Sequence, residues 1–204
     1  MVHSLITTIE RRFSANRFDA SEALPDGEIE NLVRLATRAP TAYNLQNWRF
    51  IAVRSPEGKA RLRTLAHGQR KVEEAAVTFI ICGAAPDAAR LPERLLPSVD
   101  AGYMPADMPF AWRDAAGAQY RDPRIARDEA VRSAALAAAT LMFAAEGLGF
   151  VSGPMGGFDA DGVARAFNLG PDELAVILVA VGRAAPGNWP QKPRRKLREV
   201  LVFS

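Results

Sequence analysis

Ala39-Pro40-Thr41-Ala42-Tyr43-Asn44-Leu45-Gln46-Asn47-Trp48 is the stretch that decides the reading of this chain. It is polar, opens on a proline and leads straight into Arg49–Arg54, a short β-rich run closed by Ser55-Pro56-Glu57-Gly58. Such a stretch is expected to be a loop feeding a strand. Before it, Pro25-Asp26-Gly27-Glu28 opens a helix in which Ile29, Leu32, Val33 and Ala36 recur at helical spacing, with Pro40 as the stop. After it, a helix is expected from Glu57 to about Ala66, with a further turn or two up to Ala75.

Farther out, Val77–Gly83 is apolar on both faces, as a buried central strand would be, and Ala175–Gly182 is a second strongly apolar strand. Residues 2–12 read as a short helix. Asp128 to Gly147 is apolar nearly all round, so it belongs in the core or at a dimer interface. Asp159 caps a helix running to about Asn168. Residues 84–127 carry six prolines, with Tyr103, Phe110 and Trp112 between them. Short helices and irregular chain are expected there, with the aromatics either forming a lid or packing on the core. The tail from Arg183 ends in the β-like run Val200–Phe203, an arm that either wraps its own domain or joins a partner's sheet. Helices alternating with three to five strands give an α+β layer architecture in one domain, 1–204.

Composition narrows the function. The chain has 204 residues, 49% of them hydrophobic, and a net charge of +3 with no basic half, which gives no support to nucleic-acid binding. No stretch approaches the length of a membrane span, and the N-terminus lacks the apolar core of a signal peptide, so a cytoplasmic location is expected. Cys82 is alone in an apolar run and reads as an inert thiol; His3 and His67 are the only histidines. That leaves little material for a zinc site or a Cys/His nucleophile pair. No Gly-x-Gly-x-x-Gly turn follows a strand, which argues against the common dinucleotide-binding fold.

Four segments are candidates for chemistry: Arg12–Asp19, Ala39–Trp48, Gly153–Asp159 and Gln191–Arg194. Singly, each reads blandly as a helix end, a polar loop, a glycine turn or a solvated basic tail. Together they suit one ligand. Arginines with a lysine grip phosphate. Amides such as Asn44 and Gln46 match the edge of a heterocycle. Gly156 and Gly157 let the backbone approach a flat ring. No strong nucleophile–base pair accompanies them, which fits a protein whose cofactor carries the reaction.

On these segments the chain resembles the nitroreductase family along nearly its whole length, apart from a divergent, lid-like insert at 84–127. The most specific match is Ala39-Pro40-Thr41-x-x-Asn44-x-Gln46-x-Trp48 directly before a strand. Next is the helix end Glu146-Gly147-Leu148-Gly149, shortly before Pro154. The resemblance implies a three-layer fold with a central, mostly antiparallel sheet flanked by helices, and a C-terminal arm exchanged with a partner subunit. It implies a homodimer binding FMN between subunits, with NADH or NADPH as donor and a small organic molecule as acceptor, turned over by ping-pong hydride transfer.

Residue by residue, it aligns Arg12, Ser14 and Asn16 with the first flavin-binding stretch. Thr41 and Asn44 fall on a loop often contributed to the partner's site. Lys71 aligns with a lysine facing the pyrimidine end of the ring, and Ser133 with a polar position on the long helix. Pro154, Met155, Gly156 and Gly157 align with the turn facing the flavin N5, and Lys192 and Arg194 with the basic pair on its phosphate. No side chain is singled out as an acid–base catalyst. Asn16 stands where the family has a cation, Gly156 where some members have a glutamate, and Asn47 where a proline is usual. The turn is closest to the branch of malonic semialdehyde reductases. A metabolite-specific reductase, or a flavin-storing protein with little turnover, is the alternative.

Overall fold

A computed structural model describes residues 5–204; the start of the expected first helix, with His3, lies outside the described residues. Four strands, β1 (Trp48–Val53), β2 (Val77–Ala84), β3 (Val151–Met155) and β4 (Glu173–Gly182), form one sheet in the order β1-β2-β4-β3, with every neighbouring pair antiparallel. Central β2 is fully buried over seven of its eight residues, as its two-sided apolar sequence requires.

Period-two alternation splits the sheet between two helical layers. Val77, Phe79 and Ile81 of β2, with Val179 and Val181 of β4, face α2 (Asp26–Ala36) and α7 (Pro123–Gly147) through Leu32, Ala36, Ala134, Ala138 and Leu141. Ile80, Cys82, Leu178 and Ala180 face the other way, onto Leu62 and Ala66, Val72 and Val163. Those come from or adjoin α3 (Pro56–Leu65), α4 (Lys71–Glu74) and α8 (Ala160–Ala166). Each buried Leu, Ile, Val or Phe contributes roughly 1.5–3 kcal/mol, so the two apolar faces fix the helix–sheet–helix sandwich. α1 (Leu5–Arg11) enters before it.

Several boundaries differ from the sequence reading. The expected strand Arg49–Arg54 spans Trp48–Val53, and the long helix starts at Pro123 because Asp122 caps it, its carboxylate accepting from Arg124 N–H at 2.8 Å. The first three residues of the expected glycine turn 153–157 are strand: β3 is the edge strand of the four, paired with β4, where Pro154 sits opposite Val179 and its missing N–H is tolerated. The α8 helix ends at Ala166, and Asn168 takes a left-handed conformation with φ 53°.

Residues 84–127 are more regular than expected. Pro92 and Pro109 lie in the first turns of α5 (Leu91–Asp100) and α6 (Met108–Gln119), where a missing N–H costs nothing. Trp112 and Tyr120 join a satellite core with Leu45, Leu91, Leu95 and Ala116, whereas Tyr103 is exposed. The run Val200–Phe203 forms no strand; it is exposed chain after a short turn of 3-10 helix at Leu197–Glu199.

Candidate functional site

The site forms at the β3 edge, where the two ends of the chain meet. Ala15 N–H donates to Ser152 O at 2.9 Å, and Ser14 bridges Ser152 in parallel register, so the segment after α1 runs as a fifth, partial strand. Gly153 makes this approach possible: a Cβ there would stand 2.4 Å from Ala15 O. The chain leaving β4 closes over the same segment. Phe18 pairs with Ala184, and Asp19 N–H donates to Arg183 O at 3.0 Å. The Asn188 amide then acts as a clamp. Its Oδ1 accepts from Asn16 N–H at 2.8 Å and Arg17 N–H at 3.1 Å, while its Nδ2 donates to Arg17 O and Ala185 O at 2.8 and 3.0 Å. Gln191 Nε2 donates to Arg12 O at 2.8 Å.

Between the two ends lies a narrow cleft lined by Arg12, Ser14, Trp189, Gln191, Lys192 and Arg194. Arg12 Nη1 is buried with no hydrogen-bond partner among the described residues, and so is Ser152 Oγ, on the residue that Ser14 bridges. A buried guanidinium N–H without an acceptor is rare and costly unless a ligand supplies one. Arg194 donates to Lys192 O at 2.8 Å, and the Lys192 ammonium lies 5.9 Å from the Trp189 ring centre. Lys71 crosses Gly153 from the other side and donates to Pro154 O at 3.4 Å. Burial, and then the charge of Lys192, push the Lys71 ammonium below its ordinary pKa. No carboxylate among the described residues pairs with Arg12, Lys71, Lys192 or Arg194. Uncompensated like charge of this kind is what a bound anion neutralises.

Gly156 and Gly157 follow directly, both exposed, with nothing within 4 Å of where a Cβ would stand. Gln69 Nε2 holds the turn by donating to Gly157 O at 2.9 Å. Pro154 is half-buried, and the Met155 side chain packs into the core, so this stretch offers backbone rather than side chains to a neighbour. The sequence reading missed Asn188 and Gln69, and it placed Gln191 in a candidate segment without giving it a role. Asn188 lies between prolines and reads as turn material; nothing local marks Gln69.

Arg12, Ser14, Asn16, Lys71, Pro154, Gly156, Gly157, Lys192 and Arg194 therefore gather at one edge. Thr41, Asn44 and Ser133 do not join them within the chain. The loop carrying Thr41 and Asn44 is strained, with Tyr43, Asn44 and Gln46 at φ 52°, 56° and 47°. Left-handed non-glycine residues cost of order 1 kcal/mol or more each and persist only where surroundings impose them. Here Thr41 Oγ1 accepts from Gln46 N–H at 3.0 Å, Arg94 donates to Leu45 O, and Leu45 is fully buried. Tyr43 packs edge-on to Trp112 and Tyr120, with ring centres 5.9 and 6.3 Å away. Ser133, fully buried on α7, donates to Glu129 Oε1 at 2.9 Å, and Arg132 pairs with the same carboxylate. Burial and the neighbouring Glu129 push the Tyr120 hydroxyl up to about 12, so it stays a hydrogen-bond donor. Thr41, Tyr120, Glu129 and Arg132 share a surface depression of their own.

Other chemistries lack material. Among the described residues no group of His, Cys, Asp and Glu could hold a metal ion. Cys82 is buried, which raises its thiol to about 11. Among the described residues no helix is long and apolar enough to cross a membrane.

Fold and cleft together define a three-layer α+β protein with a cationic groove at one sheet edge. The chain belongs to the nitroreductase family, whose sequence model matches residues 9–183. An NADH dehydrogenase of Thermus thermophilus is 34% identical over 198 residues, covering 97% of this chain and 94% of its own. Protein DrgA of Synechocystis is 31% identical over 194 residues, covering 88% and 85%. A protein of Exiguobacterium sibiricum, described as a nitroreductase and solved in complex with FMN, superposes with a TM-score of 0.90 at 25% identity, covering 99% and 98%.

Proposed function

We propose that this chain is an FMN-dependent oxidoreductase that passes hydride from NADH or NADPH to a small organic acceptor by a ping-pong cycle. Nitroaromatics, quinones, enones and small aldehydes are the acceptor classes. The chain works as one FMN-binding domain in a cytoplasmic homodimer, in which Thr41 and Asn44 of one protomer reach the cofactor held by the other. One observation carries the reading: Arg12 Nη1 is buried without an acceptor in a cleft shared with Lys192 and Arg194. The FMN complex of the Exiguobacterium relative and the name of the Thermus relative support it.

Bound FMN supplies the two-electron carrier between donor and acceptor. Arg12 and Arg194 would hold its phosphate through charged N–H groups, with Lys192 adding a point charge. Lys71 would supply a partly desolvated ammonium to its pyrimidine end, a role it would bear nearly alone because Asn16 is neutral. Gly156 and Gly157, which carry no side chain, would leave room for donor and acceptor.

The experiment is the visible spectrum of the purified protein, followed by anaerobic NADH and NADPH. A yellow protein that bleaches with either donor is expected; a colourless one that ignores added FMN refutes the reading. Arg12→Ala and Arg194→Ala each remove charged hydrogen bonds, contributing about 1.5–3 kcal/mol apiece, so flavin affinity falls roughly tenfold to a hundredfold. Full flavin retention by both variants in dilute solution would show that these residues do not hold the phosphate.

A further inference from the structure

A second cavity, of about 420 Å3, adjoins the cleft and is lined by Asn16, Arg17, Arg70, Glu74, Ala185 and Pro186. That volume lies within the roughly 300–1,000 Å3 of small-molecule sites. Along the chain its walls neighbour the candidate site at two places, since Asn16 lies two residues beyond Ser14, which lines the cleft, and Arg70 precedes Lys71.

One of its two cations, Arg17, is held in place. Asn188 fixes the Arg17 backbone from both sides. The Arg17 guanidinium lies against Gly187, where a Cβ would come within 3.2 Å of Nη1 and 3.4 Å of Cζ, and φ is +86°. No carboxylate among the described residues pairs with Arg17. Across the cavity Arg70 pairs with Glu74 at 2.9 Å; the Glu74 side chain is 24% exposed and that of Arg70 80%. The carboxylate is thus held in the wall while the guanidinium reaches into solvent.

We propose that this cavity takes the ADP-ribose half of the donor and selects NADH over NADPH. The inference rests on the reductase reading, which brings the nicotinamide end to the flavin beside Asn16. Arg17 and Arg70 face the pyrophosphate, for which planar guanidinium is suited. The Glu74 carboxylate accepts from the adenosine ribose hydroxyls, the logic by which acidic side chains favour NAD over its 2′-phosphorylated form. A 2′-phosphate would bring a second anion against Glu74, which disfavours NADPH. As a bare i,i+4 surface pair, Arg70–Glu74 would contribute only a few tenths of a kcal/mol and affect no ligand.

The test is titration calorimetry of the full-length protein with ADP-ribose and with its 2′-phosphorylated form, alongside NADH and NADPH kinetics and flavin content. ADP-ribose is expected to bind about tenfold or more tightly than the phosphorylated form, a difference of about 1.4 kcal/mol. Glu74→Gln is expected to bring the two within about threefold and to raise kcat/KM for NADPH in step. Arg17→Ala is expected to weaken both about tenfold with flavin content unchanged. The proposal is overturned if neither probe binds, if the phosphorylated form binds as well or better, or if the variants leave both affinities unaltered. Calorimetry needs no turnover, so a colourless protein would refute the flavin reading while leaving this result legible.

Discussion

Gly153→Ala is the most direct perturbation of the cleft. The new Cβ would lie 2.4 Å from Ala15 O and 3.4 Å from Lys71 Cδ. Unstrained contacts lie near 3.5 Å, so backbone must move by roughly 1 Å. Only Lys71 is flexible; Ala15 O and β3 are both main chain. Overpacking of this kind costs about 1–3 kcal/mol, and loss of the Ala15 N–H bond to Ser152 O adds about 0.5–1.5 kcal/mol. A total of about 2–4 kcal/mol is expected, which at roughly 2–4 °C per kcal/mol lowers Tm by about 4–16 °C. The displaced segment carries Arg12 and Ser14, so flavin affinity falls with stability. Gly156→Ala is the control, because nothing stands within 4 Å of its Cβ position; its effect should stay within about 0.5 kcal/mol. Urea unfolding at one fixed protein concentration, with flavin fluorescence quenching for affinity, reads both quantities. If Gly153→Ala matches the wild type to within about 0.5 kcal/mol and binds FMN equally well, the close approach described here does not exist.

Three further outcomes are expected. Cys82, buried and with its thiol raised to about 11, should resist a thiol reagent in the native protein and react on unfolding; prompt native labelling would contradict its placement. Lys71 has a folded pKa below its ordinary 10.5, so its penalty on the flavin-free fold is complete below the folded value and lifts as pH rises toward 10.5. Thermal unfolding against pH should show that rise in the wild type and a flatter profile in Lys71→Met. Asp159→Ala removes the carboxylate that accepts from Gly162 N–H at 2.9 Å, and should cost about 0.5–2 kcal/mol by chemical denaturation.

The two central strands were legible because burial on both faces leaves an uninterrupted apolar signature: Val77–Ala84 and Glu173–Gly182 are sandwiched between helical layers. Edge strand β3 carries no such mark. Its five residues include Gly153 and Pro154, which suit a strand whose outer side meets only Ser14 and Ala15, and which read locally as a turn. Pro92 and Pro109 misled in the opposite sense, since proline both ends helices and opens them, and only the downstream chain shows which. In the cleft, Lys192 and Arg194 stand out because cations cluster there in sequence, whereas only the family resemblance marks Lys71. Asn188 and Gln69, which hold the backbone in place, act across 171 and 88 residues and leave no local trace. Thr41 and Ser133 belong to a separate group around Glu129, a separation visible only in three dimensions.

The bond from Gln191 to Arg12 joins positions 179 residues apart. All four strands lie between those two positions. The sheet is therefore closed off before the cleft is, and a backbone cut between Gly182 and Lys192 would part Lys192 and Arg194 from the fold while leaving every strand intact. A single nick there would cost the protein its basic pair rather than its architecture.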